Sequence, residues 1–179
     1  SCPGGRYPKF GVNMPKIIEN IRESLVENAE KVLLEEGISA VTVRRISAES
    51  GIASGTVYHY FSSKEDILAA VFLKRWIEKK EKICKKVEKA KDFQEAMKLI
   101  HEGLMEFASE NRPYWQGKDM NPVAAHHAAL ASEIAGMVER SSKKLGDERM
   151  ASYARLIAEN ILLSLHVDEN LFDQFMELL

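Results

Sequence analysis

Residues 42–72 read TVRRISAESGIASGTVYHYFSSKEDILAAVF, and the punctuation of this stretch decides the fold. Thr42 precedes a short helix-forming run, where a hydroxyl can accept from a free backbone N–H of the first turn. Gly51 closes that run, because glycine takes positive φ without a Cβ clash. Ser54 is placed to cap the next segment, GTVYHYF, and Ser63 the one after it, with Asp66 at the third helical position as in a capping box. Two short helices joined by a tight turn at Gly51 form a helix-turn-helix layout. Small residues on the first of them (Ser47, Ala48, Ser50) let the second approach closely.

The second short helix has two faces. Val57 and Phe61 are four apart and point together into a core. Gly55, Tyr58, His59 and Ser62 point the opposite way, with Tyr60 at the flank, so Tyr58 and His59 are expected at the surface. Exposed aromatic tips beside a helix N-terminus suit nucleic acid, because backbone N–H groups and hydroxyls hold phosphates. Short residues at positions 54–56 allow the helix to enter the major groove and meet base edges.

Upstream, Ile18, Ile21, Leu25, Ala29 and Val32 recur at spacings of three and four, which predicts an amphipathic helix over 16–36 with Gly37 as its C-cap. Downstream, Leu68, Phe72, Trp76, Ile83 and Val87 form the stripe of a long connecting helix, about 64–91. Phe93, Ala96, Met97, Ile100, Leu104, Phe107 and Ala108 trace a further helix ending near Asn111. A loop with Pro113 and Pro122 follows. An alanine-rich helix is expected over 123–145, its face at Ala124, Ala128, Ala131 and Ala135 permitting close packing, with Gly146 as its breaker. A last long helix, 147–167, carries Met150, Ala154, Ile157, Ile161 and Leu165. It is apolar on nearly every side around 156–165, so it is either central or covered by a partner. LFDQFMELL is expected to dock as a short terminal helix. The fold class is therefore all-α: a helix-turn-helix unit over 16–62, joined by the long helix to a helical domain over 63–179. Residues 1–15 are set aside as a leader or disordered arm.

The 179-residue chain is 45% hydrophobic and 29% charged, with only 5 prolines and 10 glycines, a composition that favours helices over a turn-rich β architecture. No apolar run has the roughly 18 residues of a membrane span, so no membrane partner is expected. Cys2 and Cys84 lack the spacing of a zinc site, and nothing in them asks for an oxidising compartment; a cytoplasmic location is expected. The net charge of −2 conceals a division: residues 1–91 hold 17 basic and 12 acidic side chains, residues 92–179 hold 8 and 15. The first part is the one suited to face nucleic acid.

The stretch at 42–72 resembles the DNA-binding domain of TetR-family transcriptional repressors, whose motif runs T-x-x-x-I-A-x-x-A-G-V-S-x-G-T-x-Y-x-Y/H-F-x-x-K-x-x-L. The resemblance covers about residues 18–72. It implies that Thr42 caps its helix and meets a phosphate, with Arg44 or Arg45 nearby. It implies also that Ser54, Gly55, Thr56 and His59 face the bases, and that Tyr58, Tyr60 and Lys64 hold the backbone phosphates. Ser47 and Ser50 stand where the family has alanines, and Ala53 where serine is frequent. The resemblance further implies a double-stranded DNA operator, a homodimer built through the C-terminal helices, and an inducer pocket. A two-fold dimer reads two half-sites, which one short helix cannot.

For that pocket, Met97, His101, Met105, Trp115, Met120, His127, Tyr153 and Asn160 are candidate lining residues, since methionine and aromatic side chains suit an apolar or amphipathic effector. His126 and His127 are adjacent and point about 100° apart, so they do not form the i, i+4 pair of a metal helix. Neither a metal nor another cofactor is expected. No Ser/His/Asp order, phosphate-binding loop or carboxylate pair points to an enzyme. The alternative keeps the DNA-binding unit and makes the C-terminal domain a protein-interaction surface without an inducer.

Overall fold

The computed structural model describes residues 16–112, 122–165 and 170–178. Within them lie nine α-helices, one 3-10 turn and no strand. Contacts divide the chain into two units, and the division falls inside one helix, between Ile77 and Glu78.

The N-terminal unit contains α1 (Lys16–Glu36), the 3-10 turn Ile38–Ala40, α2 (Val43–Ser50), α3 (Ser54–Tyr60) and the first half of α4 (Lys64–Val87). Its core is the set the 3.6-residue period demands. Leu25, Val26, Ala29, Val32 and Leu33 of α1 meet Ile46 of α2, Val57 and Phe61 around α3, and Ile67, Leu68 and Val71 of α4, all buried. Each large side chain among them contributes roughly 1.5–3 kcal/mol of burial. Because α4 places Ile67, Leu68 and Val71 in this core, the unit extends past the expected boundary at residue 62. A clamp reinforces it: Lys74 donates to Glu30 at 2.6 Å, with Arg75 3.8 Å from the same carboxylate.

The second unit holds the rest of α4, then α5 (Phe93–Asn111), α6 (Pro122–Leu145), α7 (Glu148–Ala151), α8 (Ala154–Ser164) and α9 (Asn170–Met176). The helix predicted to run to 91 ends at Val87. Ala90 is buried, and Asp92 starts α5 by accepting from the Glu95 N–H at 2.8 Å, while the Glu95 carboxylate takes the Lys91 N–H at 2.7 Å. The single helix predicted over 147–167 is two. At the break, Ser152 N–H and Tyr153 N–H donate to carbonyls three residues back, and the Ser152 hydroxyl also donates to the Arg149 carbonyl at 2.7 Å. That local side-chain bond competes with continuation of the α-ladder. On α6, Ala131 is buried but Ala128 is exposed, so the expected alanine face is only partly inside; Ala124 falls where side chains are not described. Cys84 is disulfide-bonded rather than a free thiol, against the expectation that nothing in the cysteines asks for an oxidising compartment; Cys2 lies outside the described residues.

Gly103 of α5 sits against Ile83 of α4. A Cβ there would lie 2.4 Å from the Ile83 Cγ1 and 2.7 Å from its Cδ1. Gly103→Ala is therefore expected to lower stability in spite of the roughly 1 kcal/mol by which alanine favours a helix, because overpacking costs about 1–3 kcal/mol. Denaturant unfolding checks this, and Ile83→Ala in the same chain should make the added methyl better tolerated than it is alone.

Candidate nucleic-acid interface

Local chemistry builds the helix-turn-helix. The Thr42 Oγ1 accepts from the Arg45 N–H at 3.1 Å, so the residue expected to cap α2 does so. Gly51 closes α2 at φ 69°. The two serines that depart from the family pattern brace the turn: the Ser47 hydroxyl donates to the Ile52 carbonyl at 2.6 Å, and the Ser50 Oγ accepts from the Ile52 N–H at 3.3 Å. Ser54 does not cap α3. It is the first residue of the helix, and Ala53 precedes it without any side-chain cap. At the start of α4, Ser63 Oγ accepts from the Asp66 N–H at 3.1 Å and the Asp66 carboxylate accepts from the Ser62 N–H at 3.0 Å. The Ser62 hydroxyl and these backbone bonds hold Asp66 below its ordinary value. Replacing Thr42 by Ala should cost the unit about 1 kcal/mol, read as a lower melting temperature with the fold unchanged.

The two faces of α3 separate as its sequence predicts. Val57 and Phe61 are buried, whereas Ser54, Gly55, Tyr58 and His59 are exposed, Tyr58 to 60%. Thr56 and Tyr60 are half-buried, and the His59 and Tyr60 rings meet edge to face at 5.4 Å. Thr42 and Arg44 are exposed and Lys64 is half-buried at the first turn of α4.

Arg45 differs from its neighbour. Its guanidinium bonds the Glu36 carboxylate at 2.6 Å and Glu49 at 2.7 Å, and Glu49 also takes the Lys31 ammonium at 2.6 Å. Hydrogen bonds from Glu36 and then Glu49 push the Arg45 pKa up, and the Lys31 bond, followed by Arg45, pulls Glu49 down. A depressed carboxylate supports the fold above its ordinary pKa and loses that support as pH falls through the folded value. The bracket between α1 and α2 is thus in place at neutral pH. Of the two arginines, Arg44 is the one whose side chain is free of this bracket.

The candidate pocket residues differ in exposure. Met97 is fully buried and Met105 half-buried. His101 is a fastener: its Nε2 lies 3.0 Å from the Ser164 Oγ, and its ring stacks on Phe172 at 4.0 Å, tying α5 to α8 and α9. Since the Ser164 hydroxyl donates to the Ile161 carbonyl at 2.7 Å, the imidazole Nε2 carries the proton in this bond. His127 approaches Glu159 at 3.3 Å, Tyr153 is exposed, and Asn160 keeps a buried Oδ1 without a hydrogen-bond partner. Trp115 and Met120 lie outside the described residues. No cluster of His, Cys, Asp or Glu among the described residues could hold a metal, and no described helix is long and apolar enough to cross a membrane.

Residues 25–71 match the family model described as bacterial regulatory proteins, tetR family. The chain is similar to the HTH-type transcriptional regulator HbdR of Aromatoleum sp. (strain CIB), 35% identical over 60 residues, 34% of this chain and 26% of that protein. It is also similar to the fatty acid metabolism regulator protein of Bacillus subtilis (strain 168), 35% identical over 71 residues, 38% of this chain and 37% of that protein. The chain thus spans well under half the length of these two relatives. In fold it resembles the fatty acid degradation regulator FadR from Bacillus halodurans, with a TM-score of 0.54 at 20% identity, over 87% of this chain and 84% of that one.

Proposed function

For a chain that carries the helix-turn-helix of the tetR family over residues 25–71, we propose a transcription regulator that represses by binding a two-fold symmetric operator as a homodimer. A small apolar or amphipathic molecule bound in the C-terminal unit releases it. The observation that carries the reading is the division of α3, with Val57 and Phe61 inside and Ser54, Gly55, Tyr58 and His59 outside. Ser54, Gly55, Thr56 and His59 read base edges; Thr42, Arg44, Tyr58, Tyr60 and Lys64 grip phosphates. Arg45 holds α2 in place beneath them through Glu36 and Glu49.

The dimer is supported by α8. It packs beside α6, and along one side it exposes Tyr153, Leu156 and Leu163 by 46, 55 and 51%. Isolated surface leucines are ordinary, but an apolar row on one helix side marks a contact surface. The same row would serve a different protein partner, and a monomeric mass in solution would favour that second reading. A protein that regulates transcription acts where the DNA is, so the reading includes a cytoplasmic location.

Salt titration of duplex binding tests the phosphate grip. Affinity should fall steeply with salt, by about 0.9 log units per tenfold salt for each phosphate neutralised. Lys64→Ala should flatten that slope by about two in a dimer and weaken all sequences alike. Thr56→Ala or His59→Ala should instead alter which sequence is preferred. An unchanged slope in Lys64→Ala would remove Lys64 from the interface.

A further inference from the structure

The second unit contains a half-open cavity of about 340 Å³ where the C-terminal ends of α4 and α6 meet. None of the pocket candidates singled out in the sequence lines it. That volume is at the small end of the range that holds small-molecule ligands, about 300–1,000 Å³. Its wall is mostly apolar, with Val87, Met137 and Leu145, and its mouth carries Arg140, Lys143 and Lys144 against the single carboxylate of Glu88.

The three cations are not equivalent. Both helices end here, and their terminal carbonyls disfavour an anion. One lysine answers those ends, since Lys144 donates to the Glu88 carbonyl, while Lys143 is neutralised by Glu139 at 2.6 Å. Arg140 forms no ion pair among the described residues, and its guanidinium lies over Gly136, where a Cβ would stand 3.2 Å from Nη1. Gly136 thus leaves the arginine room to lie flat along α6. A planar guanidinium with a free fork beside an apolar wall matches a carboxylate on a hydrocarbon chain.

We propose that this cavity binds a small anionic amphiphile, its carboxylate on Arg140 and its chain against Val87, Met137 and Leu145. The site stands on its own geometry; only its effect on DNA would rest on the regulator reading above. Calorimetric titration of the full chain, its disulfide intact, with sodium decanoate below micelle-forming concentrations tests it. Decanol and decyltrimethylammonium serve as neutral and cationic controls. Decanoate should bind saturably and at least tenfold more tightly than either. Arg140→Ala, on an exposed position, should weaken it at least tenfold, with Arg140→Lys between. Val87→Trp, which fills the mouth from a half-buried position, should abolish binding with the helical circular-dichroism signal unchanged. Absence of saturable binding, equal binding of the controls, or wild-type affinity in both Arg140→Ala and Val87→Trp would overturn the site. Operator affinity measured in parallel keeps the two ideas apart. Decanoate binding in a protein without operator preference upholds the cavity and strikes only the regulator reading.

Discussion

Replacing Leu156 and Leu163 together by glutamate is expected to convert the protein to a monomer and to lower operator affinity on the order of a hundredfold or more. Both side chains are about half exposed on one side of α8, so charged ends reach water in the monomer at little cost to the fold. In a two-fold interface each substitution appears twice, and four carboxylates would be brought together where four leucines had been. Unpaired charge in a dry contact costs several kcal/mol. Affinity then falls because two half-sites are no longer bound as one ligand, an advantage typically worth 10² to 10⁴. Sedimentation gives the mass, and titration of one duplex gives the affinity. If the double variant remained dimeric, the α8 row would be excluded as the contact surface. A monomer that kept full affinity would show that operator binding does not need two copies.

The next largest effect divides Phe61 from Tyr58, three residues away. Phe61 is 2% exposed in the core of the N-terminal unit, and the Arg22 guanidinium stands 5.3 Å above its ring. Phe61→Ala should cost about 3–5 kcal/mol, from lost burial and the cavity left behind. Domains of this size are stable by only about 5–15 kcal/mol, so a large share of the unit's stability goes with it. Tyr58→Ala should leave stability within roughly 0.5 kcal/mol, as exposed substitutions do, while weakening binding to every duplex. Thermal unfolding and duplex titration on the same two variants separate the roles. A Tyr58→Ala protein that melts like Phe61→Ala would assign Tyr58 to the core.

Much of this was legible because the signals are local. A hydroxyl before a helical run made Thr42 a cap, and the four-residue spacing of Val57 and Phe61 gave the inward face of α3. Gly37, Gly51 and Gly146 take positive φ at the three helix ends where a residue without Cβ was expected. The bounds of α1, 16–36, were readable from period and glycine alone.

What was missed depends on contacts distant in sequence, or on a break without a breaker. Nothing at Ser152–Tyr153 interrupts the apolar period, so two helices read as one. Glu88–Lys91 are good helix formers, and only the burial of Ala90 and the Asp92 cap end α4 before them. Arg45 and Glu49 are a visible i, i+4 pair, but Glu36 reaches Arg45 across the 3-10 turn, and Lys31 reaches Glu49 over 18 residues. The partners of His101 were hidden too, because a histidine on an apolar face gives no sign of the serine and phenylalanine that engage it from two other helices. The cavity at Arg140 was hidden for the same reason: its walls come from α4 and α6, more than forty residues apart.

The most direct test of the central claim is selection of the purified full chain on a pool of random duplexes. Enrichment of one palindromic site, with half-sites about one helical turn apart or a multiple of it, is the result predicted for two copies of α3 reading adjacent major grooves. The Thr56 and His59 variants should then shift the selected bases symmetrically in both halves. A pool that remains random after selection, at a salt concentration where the protein still binds DNA, would contradict sequence-specific recognition by this surface.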